Sequence, residues 1–247
     1  MCAYGPNVLG YNDPDVDAAA LEQAKKCNCT TSPSYKAVEF AELLVDTVNS
    51  ADWAFFAKNG NDVTTAAIMT ARAHTHRKKI IFINGFYHGI SPWTQKVDYP
   101  GVIEEDVANN IYIDWNDIPA LERVIAENEG EIAAFISTPY LHGNFFDNQL
   151  PADGYWQKVR ELCTKNGIVL IVDDVRAGFR LTSPAVTTST ASRQTSSASA
   201  RLLQTAGTSP PSAAKSSSRA PSAACPTPAA TGSALSRSPQ VSPASTR

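Results

Sequence analysis

An α/β architecture is what this sequence predicts: a mostly parallel sheet with helices on both faces. Three observations carry it. Residues 168–180 read IVLIVDDVRAGFR, an apolar, β-branched run that ends in Asp173 and Asp174. That is the pattern of a strand buried on both faces and ending at a polar edge. Short apolar runs alternate with amphipathic stretches along residues 1–182, as in sheets whose strands are joined by helices. Residues 53–74 read as strand, glycine-containing turn and helix, a geometry that receives phosphate on backbone amides.

The elements follow in order. The opening MCAYGPNVLGYNDPDV is an irregular loop punctuated by Gly and Pro, and so abrupt a start predicts missing sequence upstream. Asp15 to Gln23 is a short helix. Tyr35 to Val48 is a stronger one, with Val38, Phe40, Leu43, Leu44 and Val48 at helical spacing. Trp53 to Ala57 reads as a short strand. The turn Lys58 to Asp62 leads into a helix from about Val63 to His74, capped by Asn61 or Asp62. Lys79 to Ile83 is the next strand and delivers Asn84-Gly85-Phe86-Tyr87-His88-Gly89, where an aromatic between glycines can lie over a ligand ring. Residues 91–110 read as an exposed excursion. Asp117 to Glu127 is a helix, Ile132 to Ile136 a buried strand, and Pro139 to Pro151 a long aromatic loop. Asp153 to Asn166 is an amphipathic helix stopped by Gly167, before the strand that ends at Asp173.

Composition narrows the function. Residues 1–182 hold all 24 acidic and 15 basic residues, a net charge of −9, which argues against a nucleic-acid surface. The five cysteines are scattered and odd in number, so they give no disulfide framework. Cys27 and Cys29 lack a second pair or a nearby histidine, and His74 and His76 point to different helix faces, so no metal is expected. No run is long enough to span a membrane and no signal peptide opens the chain, making a soluble, reducing, cytoplasmic setting the default.

Each piece alone has a plain structural reading. The strand end could be capped by a solvated aspartate, the turn at residue 60 could bind nothing, and a bare Asp-Asp also suits a receiver-like acidic pocket. A nucleotide-binding α/β class is disfavoured, because the turn from Lys58 to Asp62 lacks multiple glycines. The order of the pieces is more telling: phosphate corner, stacking aromatic, then an acid after a buried strand. In that order FFAKNGNDVTTAAIMTARAHTHRKKIIFINGFYHG and IVLIVDDVRAGFR, with Ala3 to Tyr11 before them, resemble the class III aminotransferases. The nearest look is the branch containing glutamate-1-semialdehyde 2,1-aminomutase, and the resemblance covers residues 3–182.

The resemblance implies a fold-type I large domain, here incomplete, and the cofactor pyridoxal 5'-phosphate. Gly60 and Asn61 would offer backbone amides to its phosphate. Tyr87 would stack on one ring face with His88 beside it, and Val175 would pack on the other. Asp173 is the catalytic expectation, a carboxylate paired with the ring nitrogen. The implied partners are a small-molecule amino donor and acceptor, with neither nucleic acid nor membrane, in a homodimer. The family's Ser-Gly-Thr is Asn59-Gly60-Asn61 here, its Glu-Pro is Thr138-Pro139, and its second acid is Asp174.

From residue 183 to 247 the chain changes character. It has no Asp, Glu, aromatic, Ile, Met, His or Asn, and six of its residues are basic. Such a segment cannot bury enough apolar surface to order itself, so a disordered tail is expected. The family's Schiff-base lysine belongs about thirty residues after the ring acid, whereas Lys215 lies farther on, in SAAKSSS. The tail reads as a frame-shifted translation. Codons permitted by Ala200 to Ala213 give KALANGWNVSALC in the displaced frame, and those of Arg193 to Arg201 give PDLICFCK, with the lysine codon straddling Ala200 and Arg201. A natural low-complexity tail is the alternative. The chain is thus expected to be a truncated, catalytically impaired aminotransferase. The alternative function is a non-catalytic scaffold with a basic disordered tail.

Overall fold

The computed structural model describes residues 9–27, 31–48, 51–142 and 147–179. The expected tail, Lys215, Arg180 and the opening eight residues lie outside them.

Four short apolar runs form one parallel sheet: β1 (Lys79–Ile83), β2 (Asn110–Ile113), β3 (Ile132–Ser137) and β4 (Val169–Val172), in the order β2-β1-β3-β4. Because side chains alternate along a strand, a run apolar at every position must be covered twice. Ile80 and Phe82 of β1 meet Ala67, Ile68 and Ala71 of α3 (Gly60–Thr75), together with Ile136, Val169 and Ile171. Ile81 and Ile83 face the other way. With Phe135 and Leu170 they pack on Leu121 and Val124 of α5 (Ile118–Glu127) and on Trp156, Val159 and Cys163 of α6 (Tyr155–Asn166). Burying each such side chain contributes on the order of 1.5–3 kcal/mol. The predicted helix-covered parallel sheet is therefore present.

Local signals set most boundaries. Asp117 caps α5 by accepting from Ala120 N at 2.8 Å, with Pro119 in its first turn. Gly167 ends α6 at φ 63°, and Ile168 N returns to Cys163 O. Arg77 fastens the strand starts: its Nη1 donates to Ile132 O, Asn166 O and Gly167 O at 3.1, 2.8 and 3.3 Å. Two further helices precede the sheet in sequence, α1 (Pro14–Lys26) and α2 (Tyr35–Thr47), and a short α4 (Glu104–Val107) precedes β2.

Three expectations are corrected. Residues 53–57 form no strand: Trp53, Phe55 and Phe56 are exposed, and Phe56 instead stacks on Phe40 of α2, centroids 5.2 Å apart. An apolar pentapeptide is a strand only where a neighbour takes its backbone bonds. The expected excursion over 91–110 gives way at its last residue to the unexpected strand β2, whose residues, three half-buried and Ile113 buried, pair with β1 from Ile80↔Asn110 to Ile83↔Ile113. Finally, α3 starts at Gly60 and its cap is Asn59, whose Oδ1 accepts from Asp62 N at 3.1 Å. Asn61 and Asp62 thus lie inside the first turn.

Candidate active site

The sheet order fixes where a ligand crevice forms. From β1 the chain leaves toward β2, whereas from the adjacent β3 it leaves toward β4. Connections that diverge from neighbouring strands open a crevice at their carboxyl ends. The loops that border it are residues 84–91 after β1, the segment after β3, and Asp173 onward after β4.

Asp173 is buried, and its backbone N–H is held by Ser137 O at 2.8 Å. Its Oδ2 lies 2.7 Å from Nδ1 of His88, which is equally buried, and its Oδ1 accepts from Val175 N at 3.2 Å. Burial works to raise the Asp173 carboxyl. The His88 hydrogen bond and charge, the Val175 N–H and the charge on His142 outweigh it and hold the group below the ordinary carboxylate value. An ionised carboxylate only accepts, so His88 carries its proton on Nδ1. Nε2 of His88 is then buried with no hydrogen-bond partner among the described residues, between the rings of Phe82 and Phe86. An unmet polar atom of this kind costs about 1–3 kcal/mol.

The N-terminus of α3 is tied to the same place. Thr64 Oγ1 donates to His88 O at 2.7 Å. The side chain of Asn61 turns back over the loop: its Oδ1 accepts from Ile90 N, Ser91 N and Ser91 Oγ, each at 3.0 Å. Gly89 lets this happen. Its φ is 131°, and a Cβ there would stand 2.2 Å from Asn61 Oδ1. The backbone N–H groups of Gly60 and Asn61 occupy the first turn of α3, where helical amides have no partner within the helix. Tyr87 is half exposed beside His88, whereas Phe86 is turned inward against Trp115 at 5.4 Å and His142 at 6.2 Å.

Of the residues singled out from sequence, His88, Asp173 and Val175 are thus joined by direct bonds. Asn61 is joined to the segment that carries His88, and Gly60 and Tyr87 adjoin those contacts. Sequence reasoning missed Thr64, whose tether to His88 O spans 24 residues, and the structural use of the Asn61 side chain. It also missed His142, held by Arg176 Nη1 at 3.3 Å. The arginine three residues after the acid is a local signal that could have pointed to a cation there, but nothing in the sequence names its partner. Thr138, where the resemblance leads one to expect glutamate, is buried and donates to Tyr140 O at 2.8 Å. Among the described residues no cluster of His, Cys, Asp and Glu is set to hold a metal, and no helix is long and apolar enough to cross a membrane.

Comparison with known proteins gives a consistent picture. The family model described as "Aminotransferase class-III" matches residues 1–188. An aminopentol aminotransferase of Sphingopyxis macrogoltabida is 42% identical over 181 residues, 73% of this chain and 43% of that protein. A glutamate-1-semialdehyde 2,1-aminomutase of Methanococcus vannielii is 36% identical over 190 residues, 72% of this chain and 44% of its own length. Among solved structures, the PLP internal aldimine form of the FumI protein of Sphingopyxis sp. MTA144 superposes with TM-score 0.73 at 42% identity, over 76% of this chain and 45% of that one. An omega-transaminase from Sphaerobacter thermophilus gives TM-score 0.70 at 25% identity, over 76% and 46%. The chain therefore spans less than half the length of these relatives.

Proposed function

This chain belongs to the class-III aminotransferase family, and from that premise we propose that its described body is the cofactor-holding part of a pyridoxal 5'-phosphate-dependent amino-group transferase. The observation that carries the reading is the buried bond between His88 and Asp173, 2.7 Å long. A protein rarely keeps a carboxylate ionised at 9% exposure unless a positive partner is to meet it. The residues present fit the group. Asp173 offers a fixed negative charge at a strand end, the amides of Gly60 and Asn61 offer phosphate donors at a helix N-terminus, and Nε2 of His88 is an unmet polar atom in the same crevice.

When bound, the cofactor supplies a protonated ring that draws off the electron pair left as a substrate Cα–H bond breaks. Asp173 would hold that proton at the pyridine nitrogen. His88 fixes the orientation of Asp173 and keeps it ionised, as a third group orients a catalytic base in other enzymes. Tyr87 and Val175 are the residues that would bound the two faces of the ring. The acidic first turn of α3, with Asp62, opposes phosphate by charge, so the backbone amides would carry more of the anchoring.

The reaction of the intact parent is amino transfer between a small donor and a small acceptor. The 42% identity to an aminopentol aminotransferase, against 36% to an aminomutase, favours two separate molecules over an internal rearrangement. The chain as written is impaired, because its only lysine after Asp173 is Lys215. Titration of the full chain with pyridoxal phosphate, followed by absorbance and intrinsic fluorescence, tests this reading. The expected result is binding that Asp173→Asn weakens at least tenfold, with no pyridoxyl group fixed to lysine by borohydride. Binding indifferent to Asp173 overturns the site, and a lysine-linked pyridoxyl group overturns the impairment.

A further inference from the structure

The segment that carries His88 is held by side chains from outside it. His88 O accepts from Thr64 Oγ1, and Asn61 Oδ1 takes Ile90 N and Ser91 N. Gly89, between them, has a different holder. Its carbonyl accepts from Gln95 Nε2 at 2.7 Å, and Thr94 Oγ1 stands 3.1 Å away. The supply of protons decides between the two. Thr94 has one hydroxyl proton, and its shorter contact is Ser91 O at 2.7 Å. Gln95 has two amide protons: one reaches Gly89 O and the other reaches Thr94 Oγ1 at 2.9 Å. A carbonyl only accepts, so the Gln95 amide can face Gly89 in one orientation alone. Gln95 is therefore the donor on which the Gly89 carbonyl depends.

Gln95 is itself fastened to the sheet. Its backbone carbonyl accepts from Tyr112 Oη at 2.7 Å, and Asn110 Nδ2 donates to Trp93 O at 2.6 Å. Both donors come from β2, so the 3-10 turn Pro92–Thr94 and Gln95 are strapped to that strand. The ring of Tyr112 in turn stacks on Phe82 of β1, centroids 5.6 Å apart. We propose that Gln95 is a positioning residue for the site: by holding Gly89 O it sets the ring of His88 against Asp173, with Tyr112 as its anchor in the sheet. For its effect on ligand binding the inference rests on the cofactor reading above; its effect on His88 needs no ligand. Gly89 stands at φ 131°, a backbone state that relaxes readily when released. Fixing two successive carbonyls, at His88 and Gly89, leaves the histidine backbone little room to turn. The 2.7 Å bond from His88 to Asp173 needs that constraint, because hydrogen bonds weaken steeply with misalignment.

The test uses the full chain without ligand and follows exchange of the His88 Nδ1 proton in ¹⁵N-edited spectra, beside the amides of β1 and β3. Gln95→Ala should speed exchange of the ring proton about tenfold, while the amides of Ile81 and Phe135 keep their protection. Tyr112→Phe removes only the hydroxyl and keeps the ring on Phe82, and should speed it severalfold. Gln95→Glu sets a carboxylate against the Gly89 carbonyl, so it should show the full defect at pH 7. The defect should fade toward about pH 4.5, where a glutamate carboxyl takes up a proton and can donate again, each value being set against wild type at the same pH. A His88 proton unchanged in either truncation, a Gln95→Glu defect indifferent to pH, or strand amides that quicken in step with His88 would each overturn the inference. Pyridoxal phosphate binding, measured separately with Asp173→Asn, keeps the two readings apart. If His88 follows Gln95 while the cofactor ignores Asp173, only the cofactor reading fails. If the cofactor binds through Asp173 while His88 ignores Gln95, only the positioning role fails.

Discussion

Asp173→Ala should unfold more easily than any surface substitution in this chain, and the structure says by how much. The carboxylate accepts two bonds, from His88 Nδ1 at 2.7 Å and from Val175 N at 3.2 Å. A buried bond to a charged group contributes about 1.5–3 kcal/mol and a neutral backbone bond about 1. Truncation also leaves His88 with both ring nitrogens buried and unmet, since Nε2 already has no partner among the described residues. The expected loss is about 3–5 kcal/mol at pH 7, the range for breaking a buried pair on one side. Asp173→Asn keeps one acceptor and should lose about 2 kcal/mol, with the histidine proton driven from Nδ1 to Nε2 so that Nδ1 can accept from the new amide.

The pH dependence has a definite sign. The native Asp173 carboxyl sits below its unfolded value, so in the acid range the unfolded chain binds more protons. The contribution is whole above about pH 3.9 and is lost as pH falls through the native pKa below it. The gap between wild type and Asp173→Ala should therefore be widest near neutrality and narrow as the solution is acidified below about pH 3.9. Urea unfolding followed by tryptophan fluorescence, repeated from pH 7 downward, measures it. A gap under about 1 kcal/mol at pH 7, or one that does not shrink on acidification, would refute the ionised, paired carboxylate on which the site is built.

Two more predictions concern the loop that carries His88. Gly89→Ala puts a Cβ against the side chain of Asn61 at a backbone angle that alanine resists. It should cost about 1–3 kcal/mol and displace His88, seen as lower Tm together with weaker pyridoxal phosphate binding; a variant with unchanged Tm would refute the close approach. Asn61→Ala frees the donors of Ile90 N, Ser91 N and Ser91 Oγ at once, and should speed amide exchange at Ile90 and Ser91 about tenfold while β1 stays protected. Exchange unchanged at those two amides would mean the side chain is not their acceptor.

Much of the fold was legible because burial on two faces leaves a mark on sequence. Ile80, Ile81, Phe82 and Ile83 are apolar without a break, and a run like that has few other uses. The amphipathic spacing of Val63, Ala67, Ile68 and Ala71 marked α3 in the same way. Residues 53–57 misled for the complementary reason: composition reports how apolar a stretch is, and not whether a neighbour pairs with its backbone. The strand β2 was hidden because four residues beginning with Asn, three of them only half-buried, carry almost no pattern. Within the site, the residue types of Asp173, Tyr87 and His88 could be picked out, since an acid at a strand end and an aromatic before glycine stand out locally.

What the chain determined by itself was a set of local preferences: which stretches are helical, which runs must be covered on both faces, and where each strand ends. Those follow from side-chain volume, polarity and spacing over a few residues, which are properties of neighbours along the chain. Only the folded arrangement decided that His88 meets Asp173 across 85 positions, that Asn61 closes over Ile90 and Ser91, and that Arg176 fixes the imidazole of His142. A hydrogen bond needs two groups within about 3 Å, and distances between residues far apart in sequence are set by the order of strands in the sheet.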